Sequence, residues 1–373
     1  MVSGIYLSLF FGPLIPIPVP QVVMDSLESA QVTTAAGQAT GFQFSFNVSR
    51  KSEIVTTYLP AGFADPGNRI ILVATVAGVP HVLMDGLITR QEYSPSNDPA
   101  KSTLTITGED LTIAMDLDDE HQCYPGLPAE ARVALICIKY FRYGIIPLPI
   151  PTVLLDIPNP VEQIPIQTGT DLEYIKSLAD EAGYVFYIEP GPVVGVNVAY
   201  WGPEVRVGIP QPALNVNMDA QSNVESLSFT YDGLAKKQLT VNVTEPITKL
   251  SIPIPIPDIG LLRPPLALKP ASPLRSGPLD MTAPLNPIKA ALLGLADTAM
   301  ASDSITATGE LDVLRYGHVL KARQLVSVRG AGLAYDGFYY VTSVTHKLKR
   351  GEYKQSFTLG RDGMIPLSPR VIP

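Results

Sequence analysis

Histidines, cysteines and clustered carboxylates are the side chains whose types could do chemistry here. The chain has four histidines (His81, His121, His318 and His346) and two cysteines, Cys123 and Cys137. His121-Gln-Cys123 with Cys137 offers three metal ligands, one short of a closed tetrahedral zinc site. No His-Glu-x-x-His or Cys-x-x-Cys spacing accompanies them, so they are read as an ordinary loop and as reduced, buried thiols. Residues 109–120 hold six carboxylates with no Lys or Arg among them, but without the Asp-x-Asp-x-Asp-Gly spacing of a calcium loop. They are read as a solvated acidic surface. No glycine-rich phosphate loop precedes a Lys-Ser/Thr pair, and Gly330-Ala-Gly332 lacks the third glycine of a dinucleotide fingerprint. There is no Gly-x-Ser-x-Gly elbow. A carboxylate pair for glycan chemistry is the surviving enzymatic option, because 35 Asp and Glu make some pair inevitable, yet spacing singles none out. The sequons Asn47-Val-Ser49 and Asn242-Val-Thr244 have no secretion signal beside them. Trp201 is read as core. No catalytic residue, cofactor or metal is assigned.

Composition narrows the function classes. At 373 residues the chain has room for several modest domains and for a core that needs no staples. It is 46% hydrophobic and only 17% charged, below the roughly 25% of average soluble proteins. Such a shortage of charge suits a subunit that hides surface in an obligate assembly. The net charge of −8 argues against a general nucleic-acid binder. From Lys321 onward nine basic residues face three acidic ones, which leaves 18 basic and 32 acidic in the first 320. The two ends are thus suited to different partners. No apolar run reaches the ~18 residues of a membrane span, and residues 5–11 lack the basic flank of a signal peptide. The product is expected in the cytoplasm on synthesis, without direct membrane insertion.

Strand signals dominate the elements that would carry these residues. Residues 69–76 are a β-branched run ended by a turn at Gly78; 79–93 contain a turn at Asp85-Gly86 followed by a strand; 102–107 alternate with period two. The C-terminal region repeats this style at 324–329, 337–349 and 353–359, with a hairpin tip at Arg350-Gly351. Gly108 lies 22 positions after Gly86, and Gly360 lies 23 after Gly337, a shared layout that suggests a duplicated β-domain with a bulge absorbing the odd residue. A capping box at Thr170 and Glu173 opens a helix over 171–182 that Gly183 stops. Short helices are expected at 111–117 and, behind Asn286-Pro287, to about residue 300. Proline, 36 residues in all, gathers at 13–20, 147–165, 253–265 and 270–287 as extended connectors or arms.

Several blocks resemble hub proteins of contractile injection systems, the group of phage late-control gene D proteins, phage tail hubs and the hub half of type VI secretion spikes. They are Gly183-Tyr-Val-Phe-Tyr-Ile-Glu-Pro-Gly-Pro192, Ala199-Tyr-Trp-Gly-Pro203, Pro210-Gln-Pro-Ala-Leu-Asn-Val-Asn-Met218, Ser222-Asn-Val-Glu-Ser-Leu-Ser-Phe229, Tyr335-Asp-Gly-Phe-Tyr-Tyr-Val-Thr-Ser-Val-Thr-His346 and Arg350-Gly-Glu-Tyr-Lys-Gln-Ser-Phe-Thr-Leu359. They span the second half of the chain; the first half joins through its strand layout.

The resemblance implies a mainly β chain with minor α, built of two related tube-type β-barrel domains and a middle α/β insertion. The expected division is an N-terminal proline-rich arm (1–21), a first tube domain (22–120), a middle domain (121–210), a second tube domain (211–250 and 301–373) and a proline-rich, helical insertion (251–300). It implies a homotrimer whose six barrels match a hexameric inner tube on one side and a trimeric spike on the other. Partners are then the chain itself, the inner tube protein, the spike protein and other baseplate components, within an assembled tail-like particle and without nucleic acid. Assembly contacts are expected at Tyr200, Trp201, Asp336, Gly337, Tyr339, Tyr340, Arg350, Gly351 and Tyr353. Because the chain ends at Pro373 soon after the last tube strands, spike and wall-cutting activity are expected on other polypeptides. The alternative is a carbohydrate-acting or carbohydrate-binding β-protein.

Overall fold

The computed structural model describes residues 4–37, 40–98, 101–152, 164–244, 251–255, 263–278 and 303–367. The chain is mainly β with minor α. It opens with β1 (Ile5–Gly12), the short β2 (Ile17–Pro18), helix α1 (Gln21–Ser26), β3 (Leu27–Ala35) and β4 (Gly41–Val48). A π-helical turn at Ile54–Tyr58 leads to β5 (Arg69–Val76), β6 (Val79–Ser94) and β7 (Ser102–Asp110). The middle part holds α2 (Ala129–Lys139), β8 (Ile145–Pro149), α3 (Asp171–Ala182), β9 (Val185–Pro190) and β10 (Asn197–Gly202). Then come β11 (Gln211–Asn215), β12 (Val224–Tyr231), β13 (Lys237–Thr244), β14 (Ser251–Pro255), β15 (Ala267–Pro270), β16 (Arg275–Pro278) and β17 (Ile305–Asp312). Helix α4 (Val313–Tyr316), β18 (Leu325–Arg329), β19 (Gly337–Lys349), β20 (Glu352–Arg361) and β21 (Gly363–Pro366) complete it.

The strand alternation seen in the sequence becomes a two-faced sheet of thirteen strands. Phe42, Phe44 and Phe46 of β4 are buried, as are Leu104 and Ile106 of β7. Between them Gln43, Ser45, Asn47, Thr103, Thr105 and Thr107 turn to the other side. The second face is therefore a carpet of short hydroxyl and amide side chains, continued on β19 and β3 where the Thr345 and Thr33 hydroxyls meet at 3.1 Å.

Within this sheet the strands pair in the order β3-β4-β7-β6-β5 and again β12-β17-β20-β19-β18. Each set is an antiparallel unit of five strands, with a helical turn between its second and third strands in sequence. Even the irregularities repeat. The β3–β4 register shifts around Glu28 and the β12–β17 register around Glu225. The β6–β7 register shifts around Thr89, whose hydroxyl donates to the Thr107 carbonyl; the β19–β20 register shifts around Thr342, whose hydroxyl donates to that of Thr358. Both hairpins thus carry the same bulge, and it equates Gly108 with Leu359 instead of Gly360. Gly86 likewise matches Tyr339, so neither pair of glycines that suggested duplication is equivalent, although the duplication of strand order is real.

Asp85-Gly86 is no turn. The β5–β6 turn is Ala77-Gly78, both with positive φ (50° and 83°), and β6 runs straight through the dipeptide. Gly86 is required there because a Cβ would fall 2.1 Å from the Glu109 carbonyl oxygen. Asp85 is buried and grips Arg69, Nε to Oδ1 at 2.8 Å and Nη2 to Oδ2 at 2.7 Å. The same guanidinium donates to the Tyr143 carbonyl at 2.8 Å, and the Asn197 amide donates to Asp85 at 2.8 Å. This buried pair nails the middle part onto the sheet.

The helix over 171–182 forms as expected, with both halves of its capping box made and Gly183 left-handed at φ 66°. It packs with α2 and the β8-β10-β9 sheet around Trp201, Ile175 and Cys137, a second core separate from the one beneath the thirteen strands. The short helix at 111 is a 3-10 turn, Leu111–Met115. Its cap is the buried Asp110, so the acidic run is not wholly a solvated surface. Cys137 is buried as expected, and burial pushes its thiol up to about 12; Cys123 is exposed instead. Proline runs 13–20, 147–165 and 253–265 supply edge strands β2, β8 and β14, where a missing N–H costs no ladder bond, so they are more than connectors. The helix expected over 286–300 lies outside the described residues.

His346 sits in the core beside Tyr353, Nδ1 to hydroxyl at 2.7 Å. Gln355 is oriented by the Leu320 backbone, which leaves its Nε2 3.2 Å from the same Nδ1 and makes that nitrogen the acceptor. Burial pushes the imidazole down to about 3, so it stays neutral in the fold.

Two outcomes are expected. Arg69→Met strands the buried Asp85 charge and lowers unfolding free energy by about 3–5 kcal/mol in urea titration, whereas Arg69→Met with Asp85→Leu recovers most of it. Because the unfolded His346 binds a proton below about 6.5 and the folded one does not, stability falls as pH drops from there toward 3, with a slope of up to about 1.4 kcal/mol per pH unit. His346→Met removes that component from the pH dependence of the urea midpoint.

Candidate assembly surface

The nine sequence-derived contact residues do not form one surface. Trp201, Tyr339, Tyr340 and Tyr353 are enclosed, each 3% exposed or less. Trp201 meets Tyr184 edge to face at 4.8 Å. Tyr339 lies under the Arg361 guanidinium at 4.4 Å and donates its hydroxyl to the Tyr335 carbonyl at 2.7 Å. Arg206 caps the Tyr340 ring at 4.7 Å while pairing with Asp303 at 2.6 and 3.0 Å. Tyr200 is partly buried, stacked on Tyr187 at 5.1 Å. Asp336 accepts from the Ala331 N–H at 2.8 Å, and Gly337, at φ 114°, lies where a Cβ would strike Pro366. Arg350 and Gly351 are exposed at the hairpin tip, with Arg350 donating to the Asp25 carbonyl. Trp201, Tyr339, Tyr340 and Tyr353 are thus covered by this chain's own residues, whereas Tyr200, Arg350 and Gly351 keep exposed surface.

Buried carboxylates that could have served catalysis are held by structural partners. Asp171 accepts from Lys139 at 3.2 Å, Tyr140 at 2.9 Å and Gln167 at 2.7 Å. Burial raises the Asp110 carboxyl, which nonetheless caps its turn through the Thr112 N–H at 2.9 Å. Asp85 and Asp303 are bound to Arg69 and Arg206.

What the fold does present is strand edge. The two five-strand units meet where residues 343–349 of β19 pair antiparallel with residues 29–35 of β3. Along that joint Val32 and Val344 are fully buried and His346 is 5% exposed. Strand β12 stands at the end of the sheet, paired only with β17 among the described residues. Past its bulge β6 pairs only with β7 among the described residues, and residues 89–94 are exposed. Open edges of this kind template the addition of another strand. The signal that sequence reasoning missed is the repeat of Leu27-Glu28-Ser29 as Val224-Glu225-Ser226, which marks the same bulge in both units.

No family model and no curated protein matches the chain. Solved structures do. A tail protein from Neisseria meningitidis aligns over 97% of this chain and 98% of its own, at 16% identity and a TM-score of 0.61. The 43 kDa tail protein of prophage MuSo2 from Shewanella oneidensis aligns over 97% and 100%, at 14% identity and 0.61. An Escherichia coli type VI secretion component, described as similar to the T4 phage tail proteins gp27 and gp5, aligns over 93% of this chain and 77% of its own, at 12% identity and 0.53. In architecture, from its duplicated strand order to its middle part, the chain has the fold of phage tail proteins, a fold it shares with a type VI secretion component.

Proposed function

We propose that this chain is the baseplate hub of a phage tail-like contractile injection system. It acts as a trimeric adapter between a hexameric inner tube and a trimeric spike. The observation that carries this is the duplication: one chain supplies two five-strand units of the same order, with the same two bulges, already joined edge to edge. Three such chains offer six equivalent units, which is what a threefold part needs to meet a sixfold one. The five-strand units correspond to tube domains at 22–120 and at 211–250 with 301–373, and the part around 121–210 braces the first through Arg69 and Asp85.

The role needs no catalytic step: when the sheath contracts, tube, hub and spike move together. Fold similarity to tail proteins and the low proportion of charge support the same reading. The particle holding the hub is tail-like, and no described helix is long and apolar enough to cross a membrane.

Light scattering at low micromolar concentration tests the stoichiometry. Three copies of the 40.1 kDa chain give about 120 kDa, and imaging of that species is expected to show a ring with pseudo-sixfold symmetry. A stable monomer or dimer in solution would count against the adapter.

A further inference from the structure

We propose that neighbouring copies join through a β-ladder between residues 90–94 of β6 in one copy and residues 228–232 of β12 in the next, with Arg90 opposite Asp232 and Tyr93 opposite Phe229. This rests on the multi-copy hub above and assigns the residues that hold it together.

The template for the joint is inside the chain. There the fourth strand of the second unit, β19, lies on the first strand of the first unit, β3. Among the described residues the strands left without that contact are their counterparts: β6, fourth strand of the first unit, and β12, first strand of the second. The bulges align the units residue by residue. Thr89 matches Thr342, so Arg90 takes the place of Ser343; Glu28 matches Glu225, so Asp232 takes the place of Ala35. Within the chain Ser343 faces Ala35, Thr345 faces Thr33 and His346 faces Val32. Carried across, Arg90 faces Asp232, Glu92 faces Thr230 and Tyr93 faces Phe229.

Chemistry at these positions agrees with the register. Arg90 and Asp232 are exposed and of opposite charge. Among the described residues Arg90 pairs with the exposed Glu92, a contact worth little and easily exchanged. Tyr93 and Tyr231 are 38% and 45% exposed on the side where the internal joint buries His346 and Val32. Pro95 follows, and its missing N–H ends the ladder. The two edges differ, so the contact is head to tail and propagates around a ring instead of closing as a twofold dimer.

Cysteine cross-linking tests the register. In a Cys123→Ser background, Glu92→Cys with Thr230→Cys places two thiols where the internal joint brings the Thr345 and Thr33 hydroxyls to 3.1 Å, within disulfide reach. Mild oxidation is expected to give a covalent trimer on non-reducing gels. Glu92→Cys with Ser228→Cys, two residues out of register on the same face, is expected to leave single chains. Circular dichroism checks that both variants fold, and light scattering before oxidation reports the assembly separately. A trimer that fails to cross-link in the first pair, or cross-links in the second, overturns this joint and leaves the hub standing. A monomer before oxidation overturns both. Arg90→Asp is expected to lose the trimer, and adding Asp232→Arg is expected to restore it.

Discussion

An antiparallel strand satisfies its backbone only when both flanks are paired or wet, and this chain is organised around that constraint. The ladder between β3 and β19 turns two five-strand units into one sheet with one continuous core. At the end of that ladder Arg323 donates to the Ala35 carbonyl at 2.7 Å and stacks on Tyr187 at 4.1 Å, which ties the joint to the middle part as well. The buried Arg69–Asp85 pair makes the corresponding link from the first unit. Each attachment lies on backbone positions that the ladder has already placed.

The paired bulges show how duplication and divergence coexist. A bulge adds local twist and resets which side chains face inward, so it must stay where the sheet curves even as neighbouring residues change. Glu28 and Glu225, and Thr89 and Thr342, have kept their types, while core positions differ: Phe42 matches Ala307 and Phe46 matches Leu311. Backbone geometry is held more tightly than packing chemistry, as expected where volume lost in one layer is regained in the next.

The strand at 102–107 and the hairpin at 337–359 were legible because alternation shows directly in residue type, and the helix over 171–182 because its cap and stop are local. Asp85-Gly86 misled because its glycine serves a close approach to Glu109 across the sheet, a need that local sequence cannot display. Tyr339, Tyr340 and Tyr353 have the look of contact residues yet are enclosed by this chain, because alternation cannot say which face is covered. The edges themselves were invisible, since an edge is defined by a partner that is absent.

Thr33 and Thr345 touch across 312 positions of sequence. On the ribosome Thr33 emerges 312 residues before Thr345, so the first unit must wait with that flank open until its companion follows. Contacts so distant form late and slowly, and a waiting flank on one nascent chain is an equally good match for the finished β19 of another. The chain therefore runs a risk of exchanging strands with its siblings on one messenger. Short polar residues such as Gln31 and Thr33 on the waiting strand, which attract other apolar surfaces weakly, reduce that hazard.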